Sequence, residues 1–388
     1  MGDMAPVAQI RAQAEEEVAA VAEIRAQAEE VAAGWSAPGA PDSWRLTAAL
    51  FRAVAADAGL LGRLARLPAD RLPALLASAA ISFLVRRDRP PPVAGYFPGP
   101  GGPQPPFDDG CGPALRDFIA ARRRGILAVC RGRRYQMNEV ARCAQIAVGI
   151  AATRPGTPVG LADLGTGAGL GLQLDRYRYQ VGRHVAGPAA AALSLDCAVR
   201  GPGQPPRPEL PPIVARAGLD LNPIDVRDPA ARRWLQACAP PEAATLARLT
   251  AAIEVTRRHP VPLLAGDVVD ALPGLLDRFP AGLPLVVVDA YLAVFLPAGK
   301  RAKLAAILAA AGRDRPVTWL SLDPLVPLGP GGRDSVQGLP LPGWLVRDYA
   351  HGVFAVLGAR TFHRGAEHGQ VLARAHPSGQ WLEWLAAS

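Results

Sequence analysis

The sequence predicts an α/β fold in which a mainly parallel, doubly wound sheet follows an all-helical amino-terminal region. Up to about residue 152, apolar residues recur at helical spacing, whereas after Pro158 short apolar runs alternate with helical stretches. One of these runs ends in Asp163 and continues directly into a glycine-rich loop. Strands that alternate with helices favour a parallel sheet covered on both faces.

Composition places the chain among globular proteins. Half of its 388 residues are hydrophobic and a fifth are charged. The longest apolar stretch, residues 74–85, is shorter than the roughly 20 residues of a membrane-spanning helix, so we predict no membrane span. The amino terminus is acidic and alanine-rich and does not resemble a signal peptide, so we expect a cytoplasmic protein.

Charge and cysteine content suggest neither a nucleic-acid partner nor a metal site. The net charge is +8, but nearly all of the basic residues are arginines, as codon pressure in a GC-rich genome produces. We therefore do not expect nucleic acid as a partner. The five cysteines contain no C-x-x-C pair and are predicted to be reduced thiols that form neither disulfides nor a zinc site.

The helical region divides into two parts. Residues 10–16 recur almost unchanged at 24–30, which is an offset of two heptads, and alanine and glutamate favour helix. We interpret residues 1–44 as an exposed helical extension that is dispensable for function; a short coiled contact is the alternative. Residues 45–152 are predicted to form a helical accessory region, interrupted by a proline- and glycine-rich loop at 89–113.

Residues 153–388 are predicted to form a Rossmann-like domain. The predicted strands are residues 159–164, 214–219, 261–264, 285–288 and 317–322, with a terminal hairpin at 353–357 and 371–375. The helices predicted between them are residues 229–256, 267–279 and 299–312.

The glycine loop contains Asp163, Gly165, Gly167 and Gly169. Glycines at these positions let the chain turn sharply and let a ligand approach the backbone. A dinucleotide fingerprint needs a third glycine where this chain has leucine. The acidic-x-G-x-G-x-G spacing instead resembles the first motif of class I S-adenosylmethionine-dependent methyltransferases. That resemblance implies that Asp163 organises the loop near the methionine amine of the cofactor.

Residues at the ends of the next strands extend this prediction. Asp220 and Asn222 follow the second strand, and the resemblance implies that Asp220 accepts hydrogen bonds from the ribose hydroxyls. Asp267 follows the third strand, where methyltransferases often place a polar residue beside the adenine amine. Asp289 and Tyr291 follow the fourth strand and are the weak catalytic candidates. Ligands of open α/β sheets collect at the carboxyl ends of strands, so we expect these residues to converge.

About 50 residues separate Gly169 from Asp220, more than a direct crossover needs. We therefore predict an insertion at 177–212 that forms a β-hairpin or flap beside the ligand site. Asp175, Arg176 and Tyr177 would lie at its root and contact the substrate.

Five sequence segments together resemble a family of unknown function common in actinobacteria, DUF2332. They lie at residues 136–140, 174–177, 218–223, 319–322 and 375–384. The resemblance runs from about residue 26 to the carboxyl terminus and implies no particular reaction.

No catalytic signature is evident in the sequence. His184, His259 and His376 are weak candidates for bases, and no spacing indicates a metal site. The leading hypothesis is a methyltransferase that binds S-adenosylmethionine and acts on a small molecule. The alternatives are a catalytically inactive, methyltransferase-like binding or scaffolding protein, or another nucleotide-using α/β enzyme such as a nicotinamide oxidoreductase.

Overall fold

The chain divides into two compact units. A computed structural model describes residues 4–36, 42–99, 101–153, 158–324, 335–348 and 354–386. The helical unit comprises residues 1–137 and 229–250, and the sheet unit comprises residues 138–228 and 251–388. The division differs from the boundary predicted at residues 152 and 153. It also assigns residues 229–250, which the sequence placed in the Rossmann-like domain, to the helical unit.

The secondary structure alternates as the sequence predicted. The helices are α1 (Met4–Gly34), α2 (Arg45–Ala56), α3 (Ala58–Leu64), α4 (Pro73–Asp88), α5 (Cys111–Gly132), α6 (Arg142–Thr153), α7 (Pro229–Cys238), α8 (Ala243–Arg258), α9 (Val268–Leu276), α10 (Ala298–Ala311) and α11 (Gly343–Asp348). The strands are β1 (Val159–Leu164), β2 (Arg178–Val181), β3 (His184–Ala186), β4 (Ser194–Arg200), β5 (Ile213–Asp220), β6 (Leu263–Ala265), β7 (Leu285–Ala290), β8 (Val317–Pro324), β9 (Ser335–Val336), β10 (Leu339–Pro340), β11 (Ala355–His363), β12 (Ala366–Ala375) and β13 (Trp381–Trp384). None of the helices in the described part of the chain is long and apolar enough to cross a membrane.

The helical unit has a core of its own, and α1 is part of it. Ile24, Ala28 and Ala32 are buried in one hydrophobic cluster with residues of α2, α4 and α5. They recur at intervals of four residues and so form one stripe of the helix. The expectation of an exposed, dispensable extension is therefore wrong for the second copy of the repeat, because that copy buries apolar surface.

The sheet unit is built on an 11-stranded sheet. Its strand order is β3-β2-β4-β13-β12-β11-β8-β7-β1-β5-β6. From β6 to β8 the five strands are parallel, with β1 in the centre between β5 and β7. Numbered along the chain, these five strands follow the order 3-2-1-4-5 of a doubly wound α/β sheet. The mainly parallel core that the sequence predicted is confirmed.

The strands lie where the sequence predicts them, but some of them are longer than predicted. β1 has the predicted bounds, whereas β7 and β8 each extend two residues beyond the prediction and thereby include Asp289 and Asp323. The predicted strand at 353–357 begins at Val353, which lies outside the described residues, and its remainder is part of β11.

The predicted insertion contributes strands to the same sheet. β2 and β3 form the expected antiparallel hairpin, but β2 also pairs in parallel with β4, and β4 pairs with β13. The expectation of a flap beside the ligand site is therefore wrong. At the root of the insertion, Tyr177 is fully buried and donates to the Leu170 carbonyl, while Asp175 forms a bidentate ion pair with Arg216 at 2.8 Å, so both support the local packing.

Helix α6 packs against strands from both the parallel and the antiparallel parts of the sheet. It contacts β2 and β4 towards one end of the strand order and β7, β8 and β11 further along it. Its residues from Arg142 to Ile150 are all buried, so this helix covers one face of the sheet.

The opposite face of the parallel strands is covered by α9 and α10. Leu272 of α9 and Leu304 and Leu308 of α10 are fully buried in a cluster with residues of β1, β5, β7 and β8, among them Trp319. Helices therefore lie on both faces of the parallel part of the sheet, as the alternation of strands and helices predicted.

Candidate functional site

The carboxyl ends of the parallel strands form the candidate site. β1, β5 and β7 are neighbours and point the same way, so the residues that follow them meet at one edge of the sheet. The glycine loop follows β1, Asp220 ends β5, and Tyr291 follows β7. We call this edge the crest.

The glycine loop is held tightly against β5. Gly165, Gly167 and Gly169 have φ angles of +70°, +55° and +72°, in the left-handed region that favours glycine. The Gly165 amide donates to the carbonyl of Leu219 at 2.8 Å. The turn therefore needs glycine for its backbone conformation alone.

Neighbouring side chains fill the space beside two of these glycines. A Cβ on Gly165 would lie 3.3 Å from Leu292, and a Cβ on Gly169 would lie 3.1 Å from Val261. Gly167 is buried, and only Gly165 of the three is exposed. Packing within the protein thus explains why glycine occupies these positions. Beyond Gly165, little of the loop backbone is exposed to a ligand.

Asp163 faces the interior of the loop. It is 9% exposed, and Thr166 Oγ1 donates to its Oδ2 at 2.7 Å. Burial raises the pKa of the Asp163 carboxyl to about 7, against the lowering effect of the Thr166 hydrogen bond, and the nearby Asp220 raises it further. The structure therefore gives Asp163 a position inside the loop, where it supports the turn.

Asp220 joins the second strand to the glycine loop. Its Oδ2 accepts from the Gly167 amide at 2.8 Å, and its Oδ1 accepts from the Asn222 amide at 2.7 Å. The carboxylate is half-buried and Asn222 is exposed. A carboxylate has about four acceptor positions, so about two of them remain after these bonds. The structure thus brings together Gly167, Asp220 and Asn222 as the sequence predicted.

Asp267 has a different partner set. It caps α9 by accepting from the Val269 amide at 3.0 Å, and it forms an ion pair with Lys300 of α10 at 2.5 Å. The hydrogen bond from Lys300 lowers the pKa of the Asp267 carboxyl. Both of its oxygens are engaged in joining the start of α9 to α10, while the amide of the preceding residue, Gly266, donates to the Asp220 carbonyl at 3.0 Å.

Asp289 lies in a buried polar group that we call the acid cluster, formed by Asp289, Trp319, Ser321 and Asp323. Trp319 Nε1 donates to Asp289 Oδ2 at 2.6 Å. Ser321 Oγ lies 2.9 Å from Asp289 Oδ1 and 2.7 Å from Asp323 Oδ2. Burial raises the pKa of the Asp289 carboxyl well above its usual range, and the charge of Asp323 raises it further. Asp289 itself is 0% exposed, so it does not reach the surface of the crest.

Tyr291 begins the turn that follows β7. Its φ is +63°, which is strained for a residue with a side chain, and its amide donates to Leu322 at 2.9 Å. The guanidinium of Arg142, on α6, stacks on its ring at 3.7 Å from the ring centroid. Of the two catalytic candidates, Tyr291 is the half-buried one at the crest.

Four residues of this region were not predicted from the sequence, namely Arg142, Trp319, Ser321 and Asp323. Trp319 and Ser321 belong to a segment that was singled out only for its family resemblance. The signal that was available is the alternation of Ser321 and Asp323 with leucine in an otherwise apolar, buried strand. A buried polar face on a central strand indicates that polar partners lie opposite it.

The three candidate histidines form none of the hydrogen bonds described above for the crest and the acid cluster. His184 is on β3, at the far edge of the sheet, and His259 is exposed. His376 is partly buried, and burial together with the charges of Arg200 and Arg142 lowers its pKa to about 4. It is therefore neutral near pH 7, and its Nδ1 accepts a hydrogen bond from the Ser378 amide at 3.2 Å.

A family model described as "Uncharacterized protein conserved in bacteria (DUF2332)" matches residues 16–384. No match is found among curated proteins or among solved structures. The matched range includes the glycine loop, Asp220 and the acid cluster, together with most of the helical unit. Because the model covers nearly the whole chain, the protein belongs to the DUF2332 family.

Proposed function

We propose that the sheet unit binds S-adenosylmethionine at the crest and transfers its methyl group to a small molecule. The observation that supports this most strongly is Asp220. It lies at the end of the second parallel strand, holds the glycine loop through Gly167, and keeps acceptor positions for hydrogen bonds from two ribose hydroxyls.

The surroundings of Asp220 suit a nucleoside. Leu221 is 59% exposed, and Phe295, on the turn after β7, is 41% exposed. These two exposed apolar side chains, on the loops that follow β5 and β7, would provide surface against which a purine ring can pack. In this proposal Asp163 supports the loop from inside and does not touch the cofactor.

Methyl transfer of this kind requires few specialised catalytic groups from the protein. The bound cofactor would supply an activated methyl group, and the transfer depends mainly on proximity and orientation. Tyr291 and Arg142 lie where they can position an acceptor, with the Tyr291 ring held by the guanidinium at 3.7 Å. The acceptor is a small molecule in this proposal.

A second candidate function is ligand binding without turnover. It is favoured by the filled space beside Gly165 and Gly169, because these glycines are required by packing whether or not a cofactor binds. A methyltransferase-like fold that serves as a binding or scaffolding protein would retain the same loop.

Isothermal titration calorimetry with S-adenosylmethionine, S-adenosylhomocysteine and NAD tests the proposal. We expect the wild type to bind both sulfur compounds. We expect Asp220→Ala to weaken that binding by roughly tenfold or more, since hydrogen bonds to a charged carboxylate are lost. Asp225→Ala is the matched control, because Asp225 is an exposed acid five residues further along the chain whose carboxylate is paired with Arg227.

Three results would contradict the proposal. Failure of the wild type to bind either sulfur compound would exclude the cofactor, and binding of NAD alone would favour a nicotinamide enzyme. Equal binding by Asp220→Ala and Asp225→Ala would place the ligand elsewhere. Binding with no methylated product from a panel of small-molecule acceptors would support the second candidate function.

A further inference from the structure

The acid cluster contains more acceptors than donors. Its two carboxylates have four oxygens. Trp319 Nε1 donates to one at 2.6 Å, and the Val294 amide donates to Asp323 Oδ1 at 3.3 Å. The other two oxygens, Asp289 Oδ1 and Asp323 Oδ2, both contact the single hydroxyl of Ser321. A hydroxyl has one proton and can donate to only one of them.

The second contact therefore requires a proton on a carboxyl group. Burial raises the pKa of the Asp323 carboxyl as well, but hydrogen bonds from Ser321, Asp289 and the Val294 amide and the charge of Arg142 favour its ionised form. Asp289 is fully buried and forms a hydrogen bond with this second carboxyl group, which two ionised carboxylates cannot do. The proton accordingly belongs on Asp289, which donates it within the cluster, while Ser321 donates to Asp323. The shorter distance, 2.7 Å against 2.9 Å, lies on the side of the ionised acceptor.

Gln337 provides independent evidence that this region has too few hydrogen-bond donors. Gln337 is 6% exposed, and its Nε2 donates to the Trp319 carbonyl at 3.2 Å. Its Oε1 lies 2.9 Å from the place where a Cβ on Gly358 would be, and it has no donor among the described residues. Gly358 pairs with Ser321 across β8 and β11, so this oxygen lies on the same face as the acid cluster.

The cluster also holds a part of the crest. Val294, which donates to Asp323, is in the short 3₁₀ helix Ala293–Phe295, and Leu292 packs beside Gly165. If the proton were lost, two negative charges would face one hydroxyl in the interior. The charged side chain that faces the cluster from α6 is Arg142, and β7 and β8 provide the two carboxyl groups. From β11, the guanidinium of Arg360 lies 5.7 Å from the centre of the Trp319 ring and is paired with Glu367, and the β9–β10 turn provides neutral Gln337.

We propose that Asp289, Ser321 and Asp323 bind one proton as a unit, and that this proton holds the turn at residues 291–295 against the glycine loop. Asp289 and Asp323 are positioning residues here, since they act on the crest through Val294 and Leu292. The inference does not depend on which ligand the crest binds, because it rests only on contacts within the protein.

The indole N–H of Trp319 reports directly on Asp289. We would follow its ¹⁵N–¹H signal in the full-length protein from pH 4 to pH 10, with Trp319→Phe to assign the signal. We expect a transition well above the ordinary range of an aspartate, and its disappearance in Asp289→Asn. Asp163→Asn provides the control. Asp163 is a buried acid outside the acid cluster, so the Trp319 transition must persist when its carboxyl group is replaced by an amide. The absence of any such transition, or one only in the ordinary aspartate range, would overturn the proposal.

A pair of amide variants tests where the proton resides. In Asp289→Asn the amide oxygen can still accept from Trp319 while the amide nitrogen donates to Ser321, so we expect an unchanged thermal midpoint. In Asp323→Asn an N–H₂ group must face a donor, either Ser321 or Val294, so we expect a lower midpoint and loss of the ordered signals of residues 291–295. Equal losses in both variants, or a loss only in Asp289→Asn, would overturn the assignment.

Discussion

The two buried aspartates at the ends of β1 and β7 make an instructive comparison. Asp163 and Asp289 lie one residue apart in register on neighbouring strands, since Leu164 pairs with Asp289. They therefore face opposite sides of the sheet. Each has a hydroxyl partner, but Thr166 comes from the same loop as Asp163, whereas Ser321 and Trp319 come from the next strand.

The difference concerns what each carboxyl group stabilises. Asp163 closes a local turn, and burial alone is the main reason that its pKa rises. Asp289 contacts Trp319 and Ser321 on the neighbouring strand and a second carboxyl group, Asp323, so its partners come from a distant part of the chain. A buried acid with a local partner supports a loop, and a buried acid with a non-local acidic partner can couple protonation to the packing of several elements.

The largest effect that we expect is a pH dependence of the free energy of unfolding that is caused by Asp163. A folded-state pKa of about 7 for Asp163, against an ordinary value of 3.8, means that this group favours folding most at low pH. Its contribution is lost as pH rises from about 4 to about 7, by about 4 kcal/mol in total. The Asp163→Asn variant has no carboxyl group to ionise at this position and does not lose this contribution. Its free energy of unfolding relative to that of the wild type should therefore increase over that range of pH.

Urea unfolding of the two proteins at pH 4.5 and pH 8, followed by circular dichroism, measures this difference. The control is Asp225→Asn, because the Asp225 carboxyl is exposed and its pKa is lowered by its hydrogen bond with Arg227. A stability difference between Asp163→Asn and wild type that stays constant with pH would show that Asp163 is ionised in the folded protein.

The next effect compares the two hydroxyl partners. Ser321→Ala leaves oxygens of both carboxyl groups without a partner and should cost about 3 kcal/mol in the free energy of unfolding. Thr166→Val removes one hydrogen bond to a largely neutral Asp163 at pH 6 and should cost about 1 kcal/mol. Chemical denaturation at that pH tests the order. Equal costs would mean that the acid cluster stabilises the fold no more than the loop does.

A further effect, smaller than that of Ser321→Ala, tests the packing of the loop on β5. A Cβ on Gly218 would lie 2.6 Å from Thr166 Cγ2 and 2.9 Å from Leu263, so Gly218→Ala should cost about 2 kcal/mol. Adding Thr166→Ser removes the closer contact and should restore part of the loss. If the melting temperature of the double variant is no higher than that of Gly218→Ala, this account is contradicted.

Much of the sheet unit is predictable because its signals are local. The apolar run at 159–164, the glycines after it and the helices that follow later strands each depend on residues close in sequence. The role of α1 was not predictable in the same way. A repeat rich in alanine and glutamate looks solvent-exposed, and only the packing of Ile24, Ala28 and Ala32 against other helices shows that it is not.

Sequence alone determined the parallel strands, the left-handed glycine turn and the placement of Asp220 beside Gly167, because periodicity and turn chemistry act over a few residues. Tertiary structure decided the rest. It packed α6 against strands from both parts of the sheet, added the strands of the insertion to that sheet and gave Asp163 a supporting role inside its loop. It also brought Asp289 beside Ser321 and Asp323 and placed Gln337 on the same face of the sheet. Those residues are far apart in the chain, and pairing between strands brings them together only when the whole sheet forms.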